Sequence, residues 1–352
     1  MSATPPEPEV LVSVEGRVGR LRLNRPKALG ALTSDMVALM ANALLAWRED
    51  AAIHTVLIDH AGERGFCAGG DIRFLADSAK VGGEGARRFF YTEYQLNHLL
   101  MVYPKPVVAV MDGITMGGGV GIALPARYRI ATERTTFAMP ETGIGLFPDV
   151  GGGWHLSRLH GAVGVWLALT GARLKAAGCE ILGIATDVVP SDHLASFKAR
   201  LISDPSAIET ILAELESDPG RSKMIEHHDA IDALFGGPTV EAIFAALAAD
   251  GSDWATAQLA TLKTKSPLSM KVALRQLQAG AAMTDFADDM VMEMRIGARV
   301  VMSHDFTEGV RAVIVDKDNQ PQWEPATLEG VTDAMLDAVF APLPADQEWK
   351  PL

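Results

Sequence analysis

The chain has 352 residues, 48% of them apolar and 21% charged, with 33 Gly and 19 Pro; this mixture excludes disordered, collagen-like and coiled-coil chains and suggests one large domain or two unequal ones. The net charge of −13 argues against a nucleic-acid partner, because such surfaces need clustered Lys and Arg, whereas a small anion can be met by N–H groups at helix starts. No stretch approaches the roughly 18 apolar residues of a membrane span. Residues 1–9 are Pro-rich and acidic, unlike a secretory or organelle leader, so a flexible tail and a cytoplasmic protein are expected. Cys67 and Cys179 lack disulfide or zinc spacing, which fits a reducing compartment.

In chain order, alternating stretches at 10–14 and 19–24 around Glu15, Gly16 and Arg17 predict a hairpin. Thr33 or Ser34 caps a helix ending near Asp50, with Met36, Leu39, Met40, Ala43, Leu44 and Trp47 at steps of three and four. Strands follow at 55–59, 106–111 and 127–131, with a helix over 88–101, so the first half is α/β. Beyond Leu156 helical periodicity takes over, at 164–170, 207–215, 240–249, 254–262, 270–278 and 285–301. The expected organisation is a core over 10–200 carrying the site and a mostly helical region over 201–352.

Serine-hydrolase, phosphate-loop and zinc-protease spellings are missing. Three glycine-rich turns remain, Phe66-Cys67-Ala68-Gly69-Gly70-Asp71, Gly113 with Gly117-Gly118-Gly119, and Phe147-Pro148-Asp149-Val150-Gly151-Gly152-Gly153. Each is expected to open a helix, whose first N–H groups are unsatisfied and slightly positive, and two such groups make an oxyanion hole. Asp71 is expected to cap the helix after the first turn. Glu141 and Asp149 lie in an otherwise apolar, glycine-rich stretch, where burial raises a carboxyl pKa toward neutral and fits it for acid–base work. The competing reading is that Glu141 caps a turn and Asp149 caps the helix after Gly151. Glu93 shares a helical face with Phe89, Leu96 and Leu100; its simpler reading is a half-exposed acid with a salt bridge. His227 and His228 are adjacent and face apart, and His155 and His160 are five apart, so no metal is assigned.

Leu23-Asn24-Arg25-Pro26, the first turn with Ile72, and Gly113 with Gly117-Gly118-Gly119 resemble, in order and spacing, the enoyl-CoA hydratase/isomerase (crotonase) superfamily. Gly117 to Gly121, Met139-Pro140-Glu141-Thr142, Phe147-Pro148-Asp149-Val150 and Glu308-Gly309-Val310-Arg311-Ala312 are similar to its 3-hydroxyisobutyryl-CoA hydrolase branch. The resemblance implies an α+β core of ββα spiral turns with a helical C-terminal part, and an acyl-CoA substrate, coenzyme A being part of the substrate and no separate cofactor. It assigns the oxyanion-hole N–H groups to Gly70 and Gly118, the acting carboxylates to Glu141 and Asp149, and a place near the acyl group to Glu93. It further implies that Gly69, Asp71, Ile72 and Arg73 line the pantetheine arm, and Lys27, Ala28 and Leu29 the adenine end. Two departures stand out: Gly121 occupies the place of a hydratase's first glutamate, and Gly30 replaces the usual Asn, predicting a looser loop. The branch implies release of CoA and a short hydroxy acid, as in valine breakdown, by a monomer or small homo-oligomer.

Overall fold

A computed structural model describes residues 7–352, so the first six residues of the expected tail lie outside the described ones. The strands are β1 (Val10–Glu15), β2 (Val18–Leu23), β3 (Thr55–His60), β4 (Gly65–Cys67), β5 (Val107–Met111), β6 (Ile114–Met116), β7 (Tyr128–Ala131), β8 (Thr136–Ala138) and β9 (Asp187–Val188). Two compact units emerge, each assembled from three stretches of chain: Met1–Gly70, Leu99–Thr136 and Lys175–Gly220 in the first, Asp71–His98, Phe137–Leu174 and Arg221–Leu352 in the second. The boundary expected at residue 200 falls inside the helix Leu194–Ser203.

The first unit is built on a six-stranded sheet in the order β1-β2-β3-β5-β7-β9. β1 and β2 form the predicted hairpin, Val10 opposite Leu23. The remaining pairs are parallel. β3 and β5 bury every residue, as expected for parallel strands covered on both faces. Val18, Leu57, Val108 and Ile130 of the sheet pack with Phe197 and Leu201 from Leu194–Ser203 and with Ile211 and Leu212 from Ile208–Leu215. β4 pairs in parallel with β6, so the turns after Cys67 and Met116 follow neighbouring strands.

The second unit is helical. Pro267–Ala282 packs on Gly152–Leu156 and Val163–Thr170, and Phe286–Val300 packs on Gly152–Leu156. Pro267–Ala282 starts before the expected 270 because Ser266 caps it, accepting from the Ser269 N–H, and proline fits a first helical position. Likewise, Glu84–Met101 begins before the expected 88, although Gly85 weakens its first turn. Thr33 is the cap of Ser34–Arg48, accepting from the Met36 N–H.

Candidate functional site

In the first unit the glycine turns after β4 and β6 lie against each other. A Cβ on Gly119 would sit 2.3 Å from the Cys67 carbonyl oxygen, so only glycine allows this approach. A Cβ on Gly69 would lie 3.8 Å from the Gly118 nitrogen, so the turns carrying Gly70 and Gly118 are in contact. Leu32 donates its N–H to Gly69 O at 2.8 Å and pairs across a β-bridge with Gly70, which fixes the first turn. The second opens Gly118–Ala123, as expected. Its cap residue is Gly117, which has no side chain to accept from the first N–H groups of the helix.

Lys27 and Ala28 belong to a single 3-10 turn, Pro26–Ala28, and Leu29 closes it at φ +52°. Ala68 donates to Leu29 O at 3.0 Å, joining this turn to the Gly69–Gly70 loop. The looser loop expected at Gly30 is not found. Gly30 has φ +71°, and a Cβ there would lie 2.4 Å from Phe66 O, so the position is tight and suits glycine alone.

In the second unit three predicted acids are buried: Glu93 is 2% exposed, Glu141 5% and Asp149 5%. The half-exposed, salt-bridged Glu93 is therefore overturned: its Oε1 has no hydrogen-bond partner among the described residues. One turn on, buried Asn97 has neither amide atom bonded among the described residues. Glu141 opens the 3-10 turn Glu141–Ile144 through its backbone, while its Oε2 is buried without a hydrogen-bond partner among the described residues. Asp149 accepts from the Tyr94 hydroxyl at 2.9 Å. Burial, and then the Asp149 charge, push Glu93 and Glu141 well above the usual carboxylate range. Burial lifts Asp149 to about 7, against the lowering effect of the Tyr94 hydrogen bond.

Asp149 does not cap the helix after Gly151. Glu293, distant in sequence, takes that role: Oε2 accepts from Gly151 N at 2.8 Å and Oε1 from Gly153 N at 3.0 Å. Asp289, one turn earlier on the same helix, accepts from Trp154 N at 3.2 Å. Gln276 donates both to Pro148 O at 2.7 Å and to Glu293 Oε1 at 2.8 Å. These contacts grip the loop on both sides of Asp149. Between them Val150 is held at φ +56°, a strained conformation for a β-branched residue that persists only when its surroundings impose it. Burial raises Glu293 well above its usual range, with the Asp289 charge next, and raises Asp289 to about 7. The two carboxyls lie one helical turn apart, so the charge of each opposes ionisation of the other. Asp289 and Glu293 are four apart inside an apolar helix, a spacing that could have flagged them in the sequence.

Asp71 caps Ile72–Ala79 as predicted, accepting from Phe74 N at 3.3 Å. Arg73, exposed on that helix, lines a cleft of about 480 Å³ with Lys80, Thr307, Glu308 and Arg311. Arg311 is occupied by Glu308, Asp316 and Asp318.

A mostly parallel sheet and many helices make this a mixed α/β protein, and the sequence profile of the enoyl-CoA hydratase/isomerase family matches residues 18–340. The chain belongs to that family. It is 45% identical to the mitochondrial 3-hydroxyisobutyryl-CoA hydrolase of Xenopus laevis, over 95% of this chain and 89% of the relative. Among solved structures it is similar to a carnitinyl-CoA dehydratase from Mycobacterium thermoresistibile, at TM-score 0.92 and 43% identity over 96% of this chain and 97% of the other. It is also similar to an enoyl-CoA hydratase from Rhodobacter sphaeroides, at TM-score 0.90 and 37% identity over 97% and 99%. The expectation of a cytoplasmic protein is overturned by the relatives, whose names place them in mitochondria. Among the described residues no helix is long and apolar enough to cross a membrane.

Proposed function

We propose that the chain is a thioester hydrolase that cleaves 3-hydroxyisobutyryl-CoA into 3-hydroxyisobutyrate and CoA, a step of valine breakdown. The relatives' names divide between hydrolase and hydratase or dehydratase. One observation decides: Gly121 stands where a hydratase needs its first carboxylate, while Asp149 supplies a buried second acid whose charge acts on Glu141. Splitting water across a double bond needs two acids on the hydratase pattern. Attack on a thioester needs one base and one proton carrier.

In this reading the Gly70 and Gly118 N–H groups form the oxyanion hole, polarising the thioester carbonyl and stabilising the negative charge that builds on its oxygen. Glu141 attacks the carbonyl carbon or activates the water that does; the C–S bond breaks, and Asp149 assists proton delivery to the departing thiolate. Glu93 receives the substrate hydroxyl, consistent with its unpaired Oε1. Lys27, Ala28 and Leu29 meet the adenine end, and Gly69, Asp71, Ile72 and Arg73 the pantetheine arm. With a net charge of −13, CoA phosphates are met by local groups, so affinity depends only mildly on salt. The protein acts as a monomer or small homo-oligomer, without nucleic-acid or membrane partners.

Glu141→Gln is expected to lower thiol release from 3-hydroxyisobutyryl-CoA by about 10³-fold or more, since a residue in direct covalent or base catalysis is removed. Unchanged release would overturn the assignment, as would rapid hydration of crotonyl-CoA without thiol release. Single turnover in heavy-oxygen water separates the two routes, because label enters Glu141 only if an anhydride forms. The ionised form of Glu141 is the reactive one and its pKa is raised, so the rate climbs with pH above the ordinary carboxylate range. In Asp149→Asn a nearby negative charge is lost, and the remaining activity should climb at lower pH.

A further inference from the structure

The turn between Gly152–Leu156 and Val163–Thr170 carries His160 beside the helix His228–Phe235, within the same unit. His160, His228 and Asp232 each present a donor atom, all within 4.8 Å of one another. His228 and Asp232 are four apart, so they share one face of their helix, and Nδ1 of His228 lies 3.8 Å from Oδ2 of Asp232. The His160 and His228 rings are 5.5 Å apart, whereas His227 turns away and stacks on Trp254. The carboxylate is held in place: Ala162 donates its N–H to Asp232 Oδ1 at 2.8 Å. A Cβ on Gly161 would lie 2.0 Å from that oxygen, so the turn makes room for the carboxylate beside His160.

We propose that His160, His228 and Asp232 bind a divalent transition-metal ion of the zinc class, independently of thioester cleavage. Two imidazoles and one carboxylate suit zinc, whereas calcium and magnesium prefer oxygen-only shells. Ligand distances of about 2.0–2.2 Å require the donors to close in by about 1 Å, which rotation of the exposed His160 ring supplies. Three protein ligands leave a fourth position for water, and the ion ties the turn to the helix. Metal competes with protons for the ligands, so binding weakens in acid.

The test uses the full chain without a histidine tag, stripped with chelator and titrated with zinc chloride by calorimetry and by melting. One zinc per chain and a raised Tm that magnesium does not reproduce are expected. His160→Ala and His228→Ala should each weaken zinc binding at least tenfold and remove the Tm rise, while thiol release without metal stays unchanged. His160 is an exposed turn residue, so its variant folds and separates lost ligation from lost structure. Absence of stoichiometric zinc binding, or equal binding by the parent and both variants, would overturn the proposal.

Discussion

Buried acids in the two units have opposite surroundings. In the first unit, Asp59 is 1% exposed and lies 2.7 Å from Arg20 Nη2 and 3.0 Å from Lys198 Nζ. Asp112 pairs with Arg134 and accepts from Thr132 at 2.7 Å. Burial raises Asp112, but His60, whose Nε2 is 3.8 Å away, and hydrogen bonds from Arg134 and Thr132 outweigh it and leave the group below the usual range. In the second unit Glu93, Glu141, Asp149, Asp289 and Glu293 are as deeply buried, yet among the described residues none has a Lys, Arg or His at salt-bridge distance, and all five are raised. Acids paired with cations fasten strands and helices. Unpaired ones keep protons near neutrality, which makes them available for chemistry.

The largest effect separating the two groups is expected at Asp59. Asp59→Asn leaves Lys198 without its carboxylate and Arg20 with Glu15 alone, and should cost about 3–5 kcal/mol at neutral pH, read from denaturant midpoints. A loss below about 1 kcal/mol would erase the distinction.

Asp289→Asn should act with the opposite sign. The folded-state value of about 7 exceeds the ordinary 3.8, so stability falls as pH rises from about 4 to about 7 and then levels off. An Asn can still accept from Trp154 N but has no proton to lose. The variant should flatten that part of the Tm–pH curve and gain about 1–3 kcal/mol at pH 8. A Tm–pH slope equal to the parent's would show that Asp289 keeps its charge.

The smallest change is expected from Tyr94→Phe. Its ring still stacks with Phe90, at 5.8 Å between centroids, but Asp149 loses the hydroxyl that lowers it. Asp149 should then titrate above about 7, moving its limb of the pH–rate profile upward, with a stability cost of about 0.5–1.5 kcal/mol. An unmoved limb would detach Asp149 from the rate.

Local rules made much of this legible. The hairpin, the Thr33 and Asp71 caps and most helices follow from periodicity and capping chemistry that act within one turn. Glu141 and Asp149 were legible because acids are conspicuous among glycines and apolar residues. What stayed hidden depends on long-range pairing. Glu293 caps a turn 142 residues away, so the sequence around Gly151 could only offer Asp149 for that role. Glu93 reads as exposed when its own helix is considered alone, since its burial comes from other segments. The cluster of His160, His228 and Asp232 is hidden for the same reason: Asp232 follows His228 by four residues on one helix, but His160 reaches them from a turn 68 residues earlier in the chain.

The interleaving of the two units has a consequence for synthesis. A ribosome delivers Glu141 and Asp149 long before residues 267–300, which supply Gln276, Asp289 and Glu293 to the loop around Asp149. Until then these acids face water and carry ordinary charge, and the Gly151 and Gly153 N–H groups lack their final acceptor. The nascent chain therefore completes its acid centre late, when the C-terminal helices close over it, and a chain released early would keep the strands of the first unit while lacking the proton-holding centre of the second.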